Sequence, residues 1–303
     1  MTMKRREFLA SGLSAGAWVA GWRPTVAWIR ATRIRFGYAA ITWGGNDRQA
    51  IDDIAALGFR GVQLRLSAFT TWGERPAELK ALLEQRRLTL VALSSGVMSL
   101  DPAAEQESLA QHVRHAQFVR DVGGRYLQML DERPRGRDPL PDDYRRMGRL
   151  LTDLGRRTAD LGISLGYHNH MDALGQAPDE VSRILDAADP RFVRFELDTA
   201  HYQQAGGDPA EAVRRFGTRL LFLHLKDLES PIPGGGPASY RFVEMGNGRV
   251  DFNSVFGALD KIGFDGWAVV ELDSVPDPAR TPKQSGAIAR RYLEALGKWN
   301  DAS

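Results

Sequence analysis

The chain has 303 residues, 40 basic and 38 acidic, a formal net charge of +2 and no cysteine. Near-neutral charge argues against a nucleic-acid partner, which would call for a clustered basic surface. The lack of cysteine excludes disulfides, thiolate metal sites and a cysteine nucleophile, so any metal must be held by His, Asp or Glu.

The chain opens with Lys4-Arg5-Arg6-Glu7-Phe8-Leu9, followed by a weakly apolar, Gly- and Ala-rich run from Ala10 to Trp22. A basic region ahead of an apolar one reads as an export signal. The adjacent arginines followed by Phe-Leu resemble the bacterial twin-arginine signal, a pathway that exports folded proteins. Ala15-Gly16-Ala17 offers a small-x-small cleavage site. The run is too short and too Gly-rich for a membrane span. Residues 1–30 are therefore expected to be signal and linker, with a periplasmic or secreted product and no membrane span after processing.

An alternation of strand-like and helix-like segments follows. Strand candidates are Ile34–Ala39, Gly61–Leu66, Thr89–Leu93, Arg125–Leu130, Ile163–Tyr167, Phe192–Leu197, Leu220–Leu225 and Trp267–Leu272. Between and after them, apolar residues at helical spacing mark Arg48–Leu57, Pro76–Arg87, Ala104–Val122, Asp142–Leu161, Asp179–Ala187, Pro209–Phe216, Phe252–Ile262 and Lys283–Leu296. Leu228 to Asp251 reads as a Pro- and Gly-rich loop, of a length that is usually functional or mobile. Strand–helix units repeated in this way predict a parallel (β/α)8 barrel, one domain over residues 31–300. An open doubly wound sheet would want a Gly-rich phosphate fingerprint after the first strand. Gly44-Gly45-Asn46 is not that pattern.

In such a barrel the active site lies at the carboxyl ends of the strands, and polar residues gather there. Leu165-Gly166-Tyr167-His168-Asn169-His170 ends the fifth strand with two histidines on alternate positions, which puts both on one face with Asn169 turned away. Asp198 ends the sixth strand, where it reads equally as a buried ligand or as the cap of the next segment. His224 lies inside an apolar seventh strand, and Glu271 follows Val269-Val270 on the eighth. These four strand ends are expected to build one metal site. His112 and His115, on a long helix, read as structural or surface residues. Asp131-Glu132 reads as a solvated turn, ahead of a role in binding substrate hydroxyls, and Trp43, Phe69, Trp72 and Tyr240 are candidates to shape a sugar pocket.

Taken together these segments resemble the xylose isomerase-like sugar isomerase/epimerase superfamily of metal-dependent barrels, from about Ile34 to Leu296. The most specific parts are Tyr167-His168-Asn169-His170, Leu197-Asp198-Thr199-Ala200-His201, Leu223-His224-Leu225-Lys226-Asp227, Gly246-Asn247-Gly248-Arg249-Val250-Asp251-Phe252 and Gly266-Trp267-Ala268-Val269-Val270-Glu271-Leu272-Asp273. The resemblance implies one divalent ion (Mn, Zn, Co or Mg) held by His168, Asp198, His224 and Glu271. It implies substrate contacts from His201 and Lys226, with Trp43 a further candidate. The sequence departs from the family's epimerases at two places. His168 stands where they carry a fifth-strand Glu, and Gln63 where they often carry a second-strand Glu. One member of the two-carboxylate proton shuttle is therefore missing, leaving Glu271 as base and His170 or His201 as the second acid/base.

The chemistry that follows is proton abstraction next to the carbonyl of a sugar or keto-sugar, through an enediolate stabilised by the metal. Return of the proton gives isomerisation or epimerisation, the leading expectation. Loss of a β-substituent gives a lyase or dehydratase acting on a keto-sugar or inosose, the alternative. An endonuclease-type barrel would want more metal ligands and a basic groove, and a non-catalytic sugar-binding protein would need no metal. Association with copies of itself is left open.

Overall fold

The computed structural model describes residues 33–236 and 238–299. The segment read as an export signal lies outside the described residues. Strands β1 (Arg33–Ala39), β2 (Gly61–Leu64), β3 (Thr89–Met98), β4 (Tyr126–Asp131), β5 (Ser164–His168), β6 (Val193–Asp198) and β7 (Leu220–Leu225) pair in parallel. Two short strands, β8 (Asp227–Glu229) and β9 (Arg241–Val243), form an antiparallel hairpin outside the barrel. Strand β10 (Asp265–Val270) then pairs with both β7 and β1 and closes the ring, as the sequence periodicity predicts.

The helices are α1 (Asp47–Ala56), α2 (Leu66–Trp72), α3 (Pro76–Gln85), α4 (Glu105–Val122), α5 (Pro141–Ala159), α6 (Pro178–Ala187), α7 (Thr199–Gln204), α8 (Pro209–Phe216), α9 (Phe252–Ile262) and α10 (Pro282–Ala295). Each long helix buries one stripe. In α5, Met147, Leu151 and Leu154 are fully buried at helical spacing. Pro141 starts that helix, and the Asp143 carboxylate accepts the Leu140 N–H at 2.7 Å. Burial of each such Leu or Met contributes roughly 1.5–3 kcal/mol. None of the described helices is long and apolar enough to cross a membrane.

Alternation along the strands builds the site on a packed floor. Phe222, Val269 and Tyr126 share strand faces with His224, Glu271 and Gln128 two residues further on. Tyr126 stacks on Phe222 at 5.4 Å between ring centroids. The floor needs glycine where its large rings sit. A Cβ at Gly61 would lie 2.5 Å from the Trp267 ring, so that position has no room for a side chain.

Three features differ from the sequence expectation. Strand β3 runs on to Met98 through an irregularity between Ser94 and Val97, where Gly96 takes φ 92° and lets pairing with β4 resume. Short helices α2 and α7 follow β2 and β6 almost directly. The 228–251 segment contains the β8–β9 hairpin, held by one carboxylate: Asp227 accepts the N–H groups of Leu228, Gly246, Gly248 and Val250 at 2.9–3.1 Å. A Cβ at Gly248 would fall 2.2 Å from Asp227 Oδ1, and one at Gly246 would fall 2.3 Å from the Tyr292 ring, so both glycines lack room for a side chain.

Candidate metal centre and active site

His168, Asp198, His224 and Glu271 arrive from β5, β6, β7 and the end of β10 at one end of the barrel, and all are buried. Asp198 uses its two oxygens differently. Oδ1 caps α7 by accepting the His201 N–H at 2.9 Å, while Oδ2 is buried without a hydrogen-bond partner. One oxygen of this side chain is thus the cap, and the other is left for a ligand role. Oδ2 lies 3.5 Å from His224 Nδ1, and Glu271 Oε2 lies 3.3 Å from the same nitrogen.

The other ring nitrogen of His224 is committed. Nε2 lies 2.8 Å from both Gln63 Oε1 and Glu196 Oε1, so it carries the proton and leaves Nδ1 facing the carboxylates. Burial acts to lower the pKa of His224, but Glu196, Glu271 and Asp198 outweigh it and raise it well above the ordinary histidine value. Burial and the nearby His224 and His170 hold His168 well below that value, so its imidazole is neutral. For Glu271, burial acts to raise the pKa, and His224 and Lys226 overcome it and keep the carboxyl ionised.

Ligand-type atoms within 4.8 Å of one another form three overlapping groups: Asp198, His224 and Glu271; His168, Asp198 and His201; and His168, Glu196 and His224. His168 Nδ1, Asp198 Oδ2 and His224 Nδ1 are buried and lack hydrogen-bond partners. Buried polar atoms left in this way are costly unless something pairs with them. Two imidazole nitrogens and carboxylate oxygens are the donor set of a divalent cation such as zinc, and the residues fit one.

The neighbouring positions divide into cavity and support. Gln63, Gln128, His168, His170, Glu271 and Asp273 line a cavity of about 120 Å³, with Ala39, Ile41 and Leu130 as its apolar wall. His170 holds Nδ1 at 2.5 Å from the Met171 carbonyl, so Nδ1 donates and Nε2 is left free. His201 is not at the cavity surface. It is 2 % exposed, its Nδ1 accepts the Met171 N–H at 3.2 Å, and its Nε2 lies 3.2 Å from Lys226 Nζ. Lys226 is 1 % exposed, donating to Glu271 Oε1 at 3.0 Å and Asp273 Oδ1 at 2.6 Å, with Nζ 4.1 Å over the Phe242 ring. Burial acts against its charge, but these carboxylates and Asp198 raise its pKa, so it stays an ammonium ion.

Trp43, expected at the substrate, is instead a core residue. It packs edge-on against Tyr38, and its indole N–H donates to Asp53 Oδ2 on α1 at 2.9 Å. Phe69 and Trp72 also face inward, Phe69 against Phe118 and the His115 ring. Tyr240, on the 228–251 segment, stacks edge-on against Phe242. Asp131 is not a solvated turn residue. It is 3 % exposed and accepts from the Tyr167 hydroxyl and Gly175 N–H, each at 2.8 Å. His112 and His115 are structural, both bonded to the buried Ser95 hydroxyl at 2.7 and 2.8 Å.

Sequence reasoning passed over Glu196, Gln128 and Asp273. Glu196 is fully buried, and its Oε1 accepts from Gln128 at 2.9 Å as well as meeting His224. Burial raises its carboxyl to about 7 against those contacts. The available signal was the alternation that paired His168 with His170: Glu196 stands two before Asp198, and Asp273 two after Glu271.

Residues 51–295 match the sequence pattern described as the xylose isomerase-like TIM barrel. The chain is 26 % identical over 299 residues to an inosose dehydratase of Lacticaseibacillus casei, an alignment that covers 86 % of this chain and 97 % of that one. It is 28 % identical over 285 residues to the rhizopine catabolism protein MocC of Rhizobium meliloti, covering 81 % and 83 %. In three dimensions it resembles the crystal structure of the IolI protein with a bound zinc atom, with TM-score 0.74 and 16 % identity, over 88 % of this chain and 99 % of that one. At that identity the likeness is one of fold.

Proposed function

The chain belongs to the xylose isomerase-like TIM barrel family, and from that premise we propose that it is a metal-dependent lyase that removes a β-substituent from a keto-sugar or inosose. The similarity to an inosose dehydratase supports this reading over the isomerase or epimerase expected first. The observation that carries it is the make-up of the cavity wall. Epimerisation needs a proton-transfer group on each face of one carbon. Here Gln63 has no proton to exchange and His168 belongs to the metal cluster, so Glu271 and His170 are the pair offered for proton transfer. Elimination needs one base at carbon and one acid at the adjacent leaving oxygen.

His168, Asp198, His224 and Glu271 would hold one divalent ion, which when bound supplies positive charge beside the carbonyl and hydroxyl oxygens and so acidifies the neighbouring C–H. Glu271, kept ionised by His224 and Lys226, takes the proton from carbon. His170, oriented by its Nδ1–H on the Met171 carbonyl, takes up a second proton at Nε2 from water and gives it to the departing oxygen. Lys226 holds Glu271 in place, and Glu196 and Gln63 orient His224 from behind. Phe242, on the β8–β9 hairpin, covers Lys226 and His201 and keeps water from them.

Incubation of the metal-loaded protein with inososes and keto-sugars in D₂O tests the proposal. Loss of water or of an aglycone, giving an enone, is the expected result. Deuterium uptake with the carbon skeleton and every substituent retained would return the assignment to an epimerase or isomerase.

A further inference from the structure

The cavity over the metal-competent cluster shares lining residues with a neighbouring space. Arg65 and Ser94 line it and also line a second cavity of about 270 Å³, whose other walls include Gly44, Gly45, Asp47 and Ser67. Asp47 is 5 % exposed, and its Oδ2 is buried without a hydrogen-bond partner. A buried carboxylate oxygen in that state is destabilising unless a donor reaches it. Arg65 is exposed, and its guanidinium has no ion-pair or hydrogen-bond partner among the described residues. Gly44 and Gly45, at φ 60° and 94°, present bare backbone, with nothing within 4 Å of where a Cβ would stand.

The charges decide what could occupy this space. One carboxylate and one guanidinium line this space together with Ser67 and Ser94, and Arg65 and Ser94 also line the first cavity. A phosphate would meet the Asp47 carboxylate, and an apolar group would leave Asp47 Oδ2 unpaired. A neutral polyhydroxy ring satisfies both, donating hydroxyl protons to Asp47 and accepting from Arg65. The two cavities adjoin at Arg65 and Ser94, so a ligand of two rings would place one ring in each.

We infer that the substrate is a two-ring keto-glycoside, with its ketonic ring over the metal-competent cluster and its second sugar ring in the Asp47–Arg65 cavity. The inference rests on the lyase reading above and names the leaving group. Glu271 takes the proton from the carbon next to the ketone, and the C–H electron pair becomes the C=C bond. The β C–O bond to the glycosidic oxygen breaks, its pair leaves with that oxygen, and a proton from His170 makes it a hydroxyl of the departing sugar. The step is redox-neutral and leaves an enone.

The test compares kcat/KM of the metal-loaded enzyme on a one-ring 3-keto-hexose derivative and on the same ketonic ring glycosidically linked to a glucose. The two-ring compound should be favoured at least tenfold, and Asp47→Ala and Ser67→Phe should each bring that ratio towards one. Equal kcat/KM for the two compounds, or variants that lower both in parallel, would overturn the subsite while leaving the lyase reading intact. If neither compound turns over, the lyase reading fails and the subsite is judged by binding. Calorimetry should then show an unoxidised glucose disaccharide binding at least tenfold tighter than glucose, with Asp47→Ala abolishing the difference. Equal affinities would overturn it.

Discussion

Asn169 holds Asp198 by its backbone: the carboxamide oxygen accepts the Asp198 N–H at 2.9 Å, and the amide nitrogen donates to the Asp198 carbonyl at 3.3 Å. The side chain thereby continues the β5–β6 pairing one step past the end of β5, and Asp198 is fixed with Oδ2 pointing inward. Both groups are fully buried. Asn169→Ala strands a buried N–H and a buried C=O, and is expected to destabilise the fold by about 2–4 kcal/mol. It should also weaken divalent-metal binding. Urea denaturation with and without zinc measures both effects. A variant of wild-type stability would show that water replaces the clamp.

The metal cluster predicts one divalent ion per chain, with affinity that rises as pH rises. His224 has a raised pKa, so at neutral pH the incoming ion must displace its proton, and acid favours the proton. Calorimetric titration in buffers of different ionisation enthalpy should register proton release on binding. Gln63→Leu, which removes one of the two groups orienting the ring, should lower affinity about 10–100-fold without changing stoichiometry. An ion bound with no proton release would mean that His224 is not a ligand.

Among the proton-transfer candidates the cavity separates His170 from His201. His170 lines it, whereas His201 sits behind Lys226. Glu271→Gln should lower kcat by about 10²–10⁴-fold and His170→Gln by at least about 10²-fold. His201→Ala should cost less than either, acting through the position of Lys226. A larger loss for His201→Ala than for Glu271→Gln would show that the base is misplaced.

Asp131 gives a stability prediction away from the metal. Burial raises its carboxyl from 3.8 to about 6, against hydrogen bonds from the Tyr167 hydroxyl and the Gly175 N–H. A folded pKa above the unfolded one means that folding takes up a proton. The contribution is fully present below the unfolded value and is lost as pH rises through about 6, a loss of about 3 kcal/mol. Asp131→Asn keeps the acceptor for both donors and has no proton to lose. Its stability relative to wild type should therefore grow by about that amount between about pH 4 and pH 7, as followed by denaturant unfolding. A difference that stays flat across this range would mean that Asp131 titrates normally.

The alternation of apolar strand and amphipathic helix was enough to specify the barrel, because a parallel strand buried on both faces and a helix with one apolar stripe have few other ways to cover each other. The same periodicity put His168 and His170 on one face, and strand ends were sufficient to nominate Asp198, His224 and Glu271. What the sequence left open depended on contacts between residues far apart in the chain. Trp43 and Phe69 look like sugar-stacking residues until Asp53 and Phe118 are seen to hold them in the core. The choice of proton on His224 is made by Gln63, 161 residues away, together with Glu196. His201 and Lys226 carry chemistry typical of a substrate pocket, yet packing under Phe242 puts them behind the cavity wall. Secondary structure is written locally, in spacing and caps. Which polar side chains face the cavity, and in which protonation state, is decided only when closing the barrel brings the ends of eight strands together.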